Sequence, residues 1–299
     1  MGCLTRLIVV GVGGFSLFYW WQPWEFDWQE RPAPKSNPAF DLTSLSLFSP
    51  ERKVLIVTAH PDDTEFYIAG TLLRMKDAGV QSKLVVTTDG DKGYYPFEDA
   101  ARNRRIRQAE QREATTAWGG SDTIFLGFPD GQLTTSEPLI RAIQREIEIY
   151  LPDVLMLFDA DHPPRASHAD HRRTGEATEI AAKRSGFPLT LMRFSTMHGN
   201  AFIDVTQKWD QRWDLLAIHK SQFTDLAMGR VRGIIVGSAT TAGKRIGVEY
   251  AEPFRVTTLP GVRRADPAPS LPTPETPTPP SSEEAPKTPP EGGPDSQYL

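Results

Sequence analysis

Cysteine is almost missing from this chain: Cys3 is the only one among 299 residues. An intrachain disulfide is therefore excluded, and so is a metal site built on thiolates. Positive charge is also in short supply. Lysine and arginine total 33 against 38 acidic residues, a formal net charge of −5. Nothing in that balance supports a nucleic-acid-binding surface. The one local exception lies between Arg102 and Arg112, where arginines alternate with Glu110 and Glu113 at helical spacing. That stretch reads as a solvated, salt-bridged helix face. No internal repeat is visible.

The two ends of the chain differ from its middle. Residues 265–299 hold eleven prolines and almost nothing apolar. Such a segment cannot bury enough surface to offset its ordering entropy, so residues 257–299 read as a disordered, Pro-rich tail. A docking peptide for a Pro-binding partner is the sharper reading of the same composition. At the other end, residues 7–21 carry no charge, and Trp20, Trp21, Trp24 and Trp28 follow like an interfacial aromatic belt. Residues 1–28 are expected to form an uncleaved single-pass membrane anchor, with Arg6 favouring an exocytoplasmic globular part. A cleaved signal peptide is the alternative, although no small-x-small cleavage site follows the run. Residues 29–50 read as a linker.

Between 51 and 256 the pattern alternates strand, loop and helix. Strands are expected at 54–58, 84–88, 123–126 and 154–158. Helices are expected at 65–78, 98–118, 136–150 and 171–184, with short strands and one helix near 207–221 beyond. This alternation predicts an α/β fold: a Rossmann-like, mostly parallel sheet with helices on both faces. In such a sheet the loops after successive strands emerge at one edge, where active sites collect. Those loops carry His60, Asp62, Asp63, Asp89, Asp130, Asp159, His168 and His171.

Two clusters stand out there. Ala59-His60-Pro61-Asp62-Asp63-Thr64 follows the first strand, and His168-Ala169-Asp170-His171 follows the fourth strand's polar loop. His60 and Asp63, three apart at a strand-to-helix turn, can point at one ion, and His171 completes three protein ligands. That is the ligand count of a catalytic zinc centre with a position left for water. Asp62 then suits the general base. His168 suits a leaving-group acid or oxyanion stabiliser, and Asp170 can orient a histidine through its ring N–H. His162 could replace one of the histidine ligands, while His198 and His219 read as structural. Two histidines and a carboxylate also hold Fe2+ in oxygenases, an alternative that a β-barrel scaffold would suit better. A non-catalytic sugar-binding protein is a further alternative.

The paired motifs resemble the LmbE/PIG-L-like zinc-dependent N-deacetylases. The resemblance runs over about 52–256 and includes Thr88-Asp89-Gly90, Arg107-x-x-Glu110-x-x-x-Ala114, Leu126-Gly127-Phe128-Pro129-Asp130-Gly131, Lys220-Ser221-Gln222 and Tyr250-Ala251-Glu252-Pro253-Phe254. It implies Zn2+ on His60, Asp63 and His171, with Asp62 as base, and His168 stabilising the transition state. It also implies Arg107 and Asp130 on the substrate, an N-acetylglucosamine-type amine carried by lipid, inositol or a small molecule. The chain departs from the family pattern twice. Thr64 stands before Glu65 where a glutamate usually follows the two aspartates, and Ala166 stands where some members carry a tyrosine.

Overall fold

The computed structural model describes residues 39–42, 46–93, 99–163 and 167–262. Seven strands run in chain order among these residues: β1 (Lys53–Thr58), β2 (Gln81–Thr88), β3 (Thr123–Phe128), β4 (Val154–Phe158), β5 (Leu189–Phe194), β6 (Ala201–Asp204) and β7 (Ala251–Leu259). Among the described residues six α-helices accompany them: α1 (Asp63–Asp77), α2 (Ala100–Ala117), α3 (Glu137–Tyr150), α4 (Ala169–Ser185), α5 (Gln211–Leu216) and α6 (Asp225–Lys244). The sheet order is β3-β2-β1-β4-β5-β7-β6. The first five strands pair in parallel, and β7 runs antiparallel to both β5 and β6.

The centre of the sheet reads as an unbroken apolar run because both of its faces are covered. Val54 and Ile56 of β1 pack with Ile68, Leu72 and Met75 of α1 on one face. Leu55 and Val57 face the other way, against Leu139, Ile143 and Ile147 of α3 and Ala177 and Ala181 of α4. The order in which strands are added to the sheet reverses between β1 and β4, which lie side by side and parallel with Val54 opposite Val154. The carboxyl ends of those two strands therefore open onto the crevice where ligands bind in open α/β sheets.

One glycine sets how close the second motif comes to that crevice. A Cβ on Gly175, in α4, would lie 2.4 Å from the carbonyl oxygen of Phe158 at the end of β4. Only a bare backbone lets the helix approach this strand end. Gly175→Ala is expected to cost about 1–3 kcal/mol through overpacking, measured by urea unfolding, and to loosen His171 four residues away.

The structure extends the expected domain at both ends. Leu47 is 1% exposed, and Phe40, Leu42 and Phe48 pack on the same core, so part of the expected linker 29–50 belongs to the folded unit. At the other end β7 runs beyond 256 to Leu259, and the Val262 amide donates to the Gly186 carbonyl at 3.1 Å. The expected helix near 207–221 is a 3₁₀ turn (Thr206–Lys208) followed by the short α5, and the 20-residue α6 comes after it. The sequence conceals α6 because Gly229, Gly233 and Gly237 interrupt its pattern, each facing open space. The expected anchor at 1–28 and the tail beyond 262 lie outside the described residues. Among the described residues no helix is long and apolar enough to cross a membrane.

Candidate metal centre and active site

The turn after β1 is built around two adjacent carboxylates in different surroundings. Asp63 opens α1 and folds back, its Oδ2 accepting from the amides of Ala59 (3.0 Å) and His60 (2.7 Å). Asp62 takes the left-handed conformation, φ 101°. For a non-glycine residue such a backbone costs on the order of 1–3 kcal/mol and persists only where neighbours enforce it. The neighbours are Gln111, whose Oε1 accepts the Asp62 amide at 2.7 Å, and Arg107, which donates to the Pro61 carbonyl at 2.9 Å.

Across the crevice, His168 caps α4, its Nδ1 accepting the Asp170 amide at 3.1 Å. His171 follows in the first turn and stacks face to face on Phe158, with ring centroids 4.0 Å apart and planes 6° from parallel. Strand β1 and helix α4 thus bring residues more than a hundred positions apart into contact. His60 Nδ1 lies 3.2 Å from His171 Nε2. His171 Nε2 is 3.1 Å from Asp63 Oδ1, and His60 Nδ1 is 3.8 Å from Asp63 Oδ2. All three residues are buried.

These donor atoms fit a zinc-sized ion. Two ligands about 2.0–2.1 Å from a tetrahedral ion sit about 3.3 Å from one another, close to the separation of the two ring nitrogens. The remaining nitrogen of His60 is spoken for: its Nε2 is 3.2 Å from Asp130 Oδ1 and 3.3 Å from Asp170 Oδ2. With its proton directed at those carboxylates, His60 offers a lone pair at Nδ1. His60, His168 and Asp170 also lie close enough to share an ion. There, however, the Asp170 oxygens already accept from the amides of Gly131 (2.6 Å) and Leu133 (3.1 Å). His168 Nδ1 is likewise occupied, so the donor chemistry favours His60, Asp63 and His171.

Electrostatics separates the two aspartates. Burial pushes the Asp62 carboxyl up to about 6, with the Arg107 guanidinium opposing and the Asp63 charge adding to the rise. Burial would raise Asp63 as well, but His171, His60 and the backbone amides outweigh it and hold that carboxyl below its ordinary range. One carboxylate stays charged, as a ligand must, and its neighbour sits near the range useful to a base. For His60, burial works against protonation, yet the carboxylates of Asp130, Asp170 and Asp63 hold its imidazole well above the ordinary value. His168 is pushed down to about 3 by burial and by the neighbouring imidazoles. It is thus neutral at physiological pH. With Nδ1 accepting, its one proton sits on Nε2, available as a hydrogen-bond donor to developing negative charge.

The other polar residues of this edge are engaged by protein groups. Arg107 and Asp130, expected on the substrate, are buried in the frame of the site. Arg107 spends its guanidinium on Gly90 O (2.8 Å), Pro61 O and Asp62 Oδ2 (3.1 Å), while Asp130 faces His60 and accepts from the Lys92 amide at 3.1 Å. The reading of Arg102–Arg112 as a solvated face fails on one side of α2: Asn103, Arg107, Gln111, Ala114 and Thr115 are buried. Asp89 and Asp159 reach the same edge, but Arg104 holds the first (2.7 Å) and Arg255 the second (2.8 Å). His162 pairs with Ser195 Oγ at 2.9 Å and is not in the ligand cluster. His219 is fully buried and bonds Glu65 at 3.0 Å. Gln111 and Glu65 carry part of the frame without standing out in the motifs. The signal for Gln111 is the four-residue spacing Asn103, Arg107, Gln111, Thr115, which marks the inward face of α2.

Fold and site together define a class: a doubly wound α/β domain with a candidate two-histidine, one-carboxylate metal centre at its switch point. Residues 55–182 match the family model described as PIG-L, GlcNAc-PI de-N-acetylase, and over that stretch the chain is similar to that family. A probable N-acetyl-alpha-D-glucosaminyl L-malate deacetylase 2 of Bacillus anthracis is 36% identical over 137 residues, covering 44% of this chain and 59% of that relative. This chain thus spans about three-fifths of that protein's length. The N,N'-diacetylchitobiose deacetylase of Pyrococcus horikoshii superposes with a TM-score of 0.64 at 25% identity, covering 69% of this chain and 84% of that one. A 4-carboxy-2-hydroxymuconate hydratase from Pseudomonas putida KT2440 shares the fold (TM-score 0.58, 16% identity, 72% of this chain and 99% of that one). The fold therefore hosts more than one reaction, and the choice between them rests on the site.

Proposed function

We propose that this chain is a zinc-dependent amidohydrolase that removes the N-acetyl group from an N-acetylglucosamine-type amine. The observation that carries the reading is the convergence of His60 Nδ1, His171 Nε2 and Asp63 Oδ1 beside Asp62. The family match and the deacetylases among its relatives support the substrate class.

His60, Asp63 and His171 would hold the zinc, which when bound supplies a Lewis acid and a water acidified to near neutrality. Asp62 takes the proton of the attacking water. Arg107 keeps the Asp62 carboxylate in place, at 3.1 Å, while it does so. His168 offers its Nε2–H as a hydrogen bond to the oxyanion, and the proton taken up by Asp62 passes to the departing amine. Asp170 and Asp130 fix the ring of His60 from behind. The products are acetate and the free amine. Fe2+ would suit the same three ligands, and oxygen-dependent turnover would mark that alternative.

Full-length zinc-loaded protein is expected to release acetate and amine in equal amounts from at least one of four substrates: N-acetylglucosamine, its β-linked dimer, or its inositol- or malate-linked forms. No acetate from any of them, with one zinc bound per chain, overturns the assignment.

A further inference from the structure

Asp62 holds a left-handed backbone conformation, and its carboxylate is tied to Arg107 at 3.1 Å. It makes no capping bond to α1. Its amide is fixed instead by a side chain from another helix, Gln111 of α2, fully buried. Gln111 has no freedom to turn. Its Nε2 donates to Glu65 Oε1 (3.2 Å) and Oε2 (3.3 Å), so Oε1 must face the Asp62 amide at 2.7 Å. Glu65 is locked in its turn by Trp118 Nε1 (2.7 Å), His219 Nε2 (3.0 Å) and Thr64 Oγ1 (2.9 Å). This brace ties three segments of the chain together under one strained turn. Among the described residues, Gln111, Glu65, Trp118 and His219 bond to one another and to Asp62 and Thr64, and not to the candidate ligands His60, Asp63 and His171.

We propose that Gln111 is a positioning residue: its carbonyl oxygen, oriented by Glu65, holds Asp62 in the left-handed conformation that aims its carboxylate at the attacking water. The inference rests on Asp62 being the base, and the amide geometry gives it a test of its own. A buried polar network of this kind imposes one arrangement only when every member is satisfied. Exchanging the carboxamide for a thioether of the same length removes the acceptor and leaves the volume.

Two substitutions separate positioning from packing. Gln111→Met deletes the acceptor. Gln111→Glu keeps an oxygen at the Asp62 amide, and the buried pair with Glu65 retains one proton between its two carboxyls. In Gln111→Met the Asp62 amide is expected to exchange its hydrogen at least about tenfold faster, while the Phe66 amide, bonded to Asp62 O at 2.9 Å, keeps its protection. With acetate release as the assay, kcat is expected to fall about 10–100-fold, a positioning loss. KM and zinc content should stay within about twofold, as expected when only positioning is lost. Gln111→Glu should keep kcat within about threefold of the parent, since the acceptor remains. Unchanged exchange at Asp62 in Gln111→Met overturns the proposal whether or not the chain shows turnover. So does an unchanged kcat in Gln111→Met, or an equal loss in both variants. Absence of turnover in the parent protein counts against the deacetylase reading alone, and the exchange measurement still decides the brace. Should Gln111→Met fail to fold, Gln111→Leu serves the same comparison.

Discussion

Asp62→Asn is expected to lower kcat/KM by about 10²–10⁴-fold, the range of a lost general base, with zinc content unchanged. The change is nearly isosteric and leaves the Asp62 amide bond to Gln111 in place. It removes only the basic oxygen that Arg107 holds at 3.1 Å. Because the ligands are other residues, the loss should fall on kcat rather than on metal occupancy. The same assignment fixes a sign for pH. Burial raises Asp62 to about 6, opposed by Arg107, and a base works only when deprotonated. Activity should therefore fall as pH drops through the region near 6. In Asp62→Asn the residual rate should lose that acid limb. An asparagine variant within threefold of the parent, with the limb intact, would remove Asp62 from the chemistry.

His171→Ala is expected to abolish stoichiometric zinc binding, and activity with it. Removing this ring takes away one of three donors and the face that stacks on Phe158 at 4.0 Å. Asp63 also loses its 3.1 Å partner, leaving a buried carboxylate with less to offset its burial. Asp170→Asn makes the informative contrast. Asp170 contributes no ligand in this account and holds His60 Nε2 at 3.3 Å. Loss of such an orienting partner is expected to weaken metal affinity by about 10–100-fold, without eliminating the site. Competitive titration against a zinc chelator distinguishes the two. Equal, complete loss in both variants would mean that Asp170 is itself a ligand, in the alternative cluster with His60 and His168.

Much of the candidate site was legible in the sequence because its residues sit in two contiguous motifs. His60 and Asp63 are three apart, and His168, Asp170 and His171 span four positions. Each group follows an apolar strand, so the edge on which it emerges follows from the alternation of elements. The frame was less legible because it is held by contacts across distant segments. Arg107 has the same charge as Arg105 and Arg112 beside it, and only the packing of α2 shows that it turns inward. Asp130 lies in a turn whose sequence carries no sign that His60 will lie 3.2 Å away. Gln111 and Glu65 have no motif of their own, since a buried brace is defined by its partners. Helix α6 was concealed for a local reason, its three exposed glycines running against helical propensity. Leu47, together with Phe40, Leu42 and Phe48, shows that apolar residues scattered through a segment read as linker can still reach the core.

The account turns on where a single ion sits. Anomalous diffraction at the zinc edge, on crystals of the zinc-loaded chain, locates it directly. One peak is expected about 2.0–2.2 Å from His60 Nδ1, His171 Nε2 and an Asp63 oxygen, with Asp62 close by and uncoordinated. A peak between His60, His168 and Asp170, or no ordered zinc between β1 and α4, would contradict it.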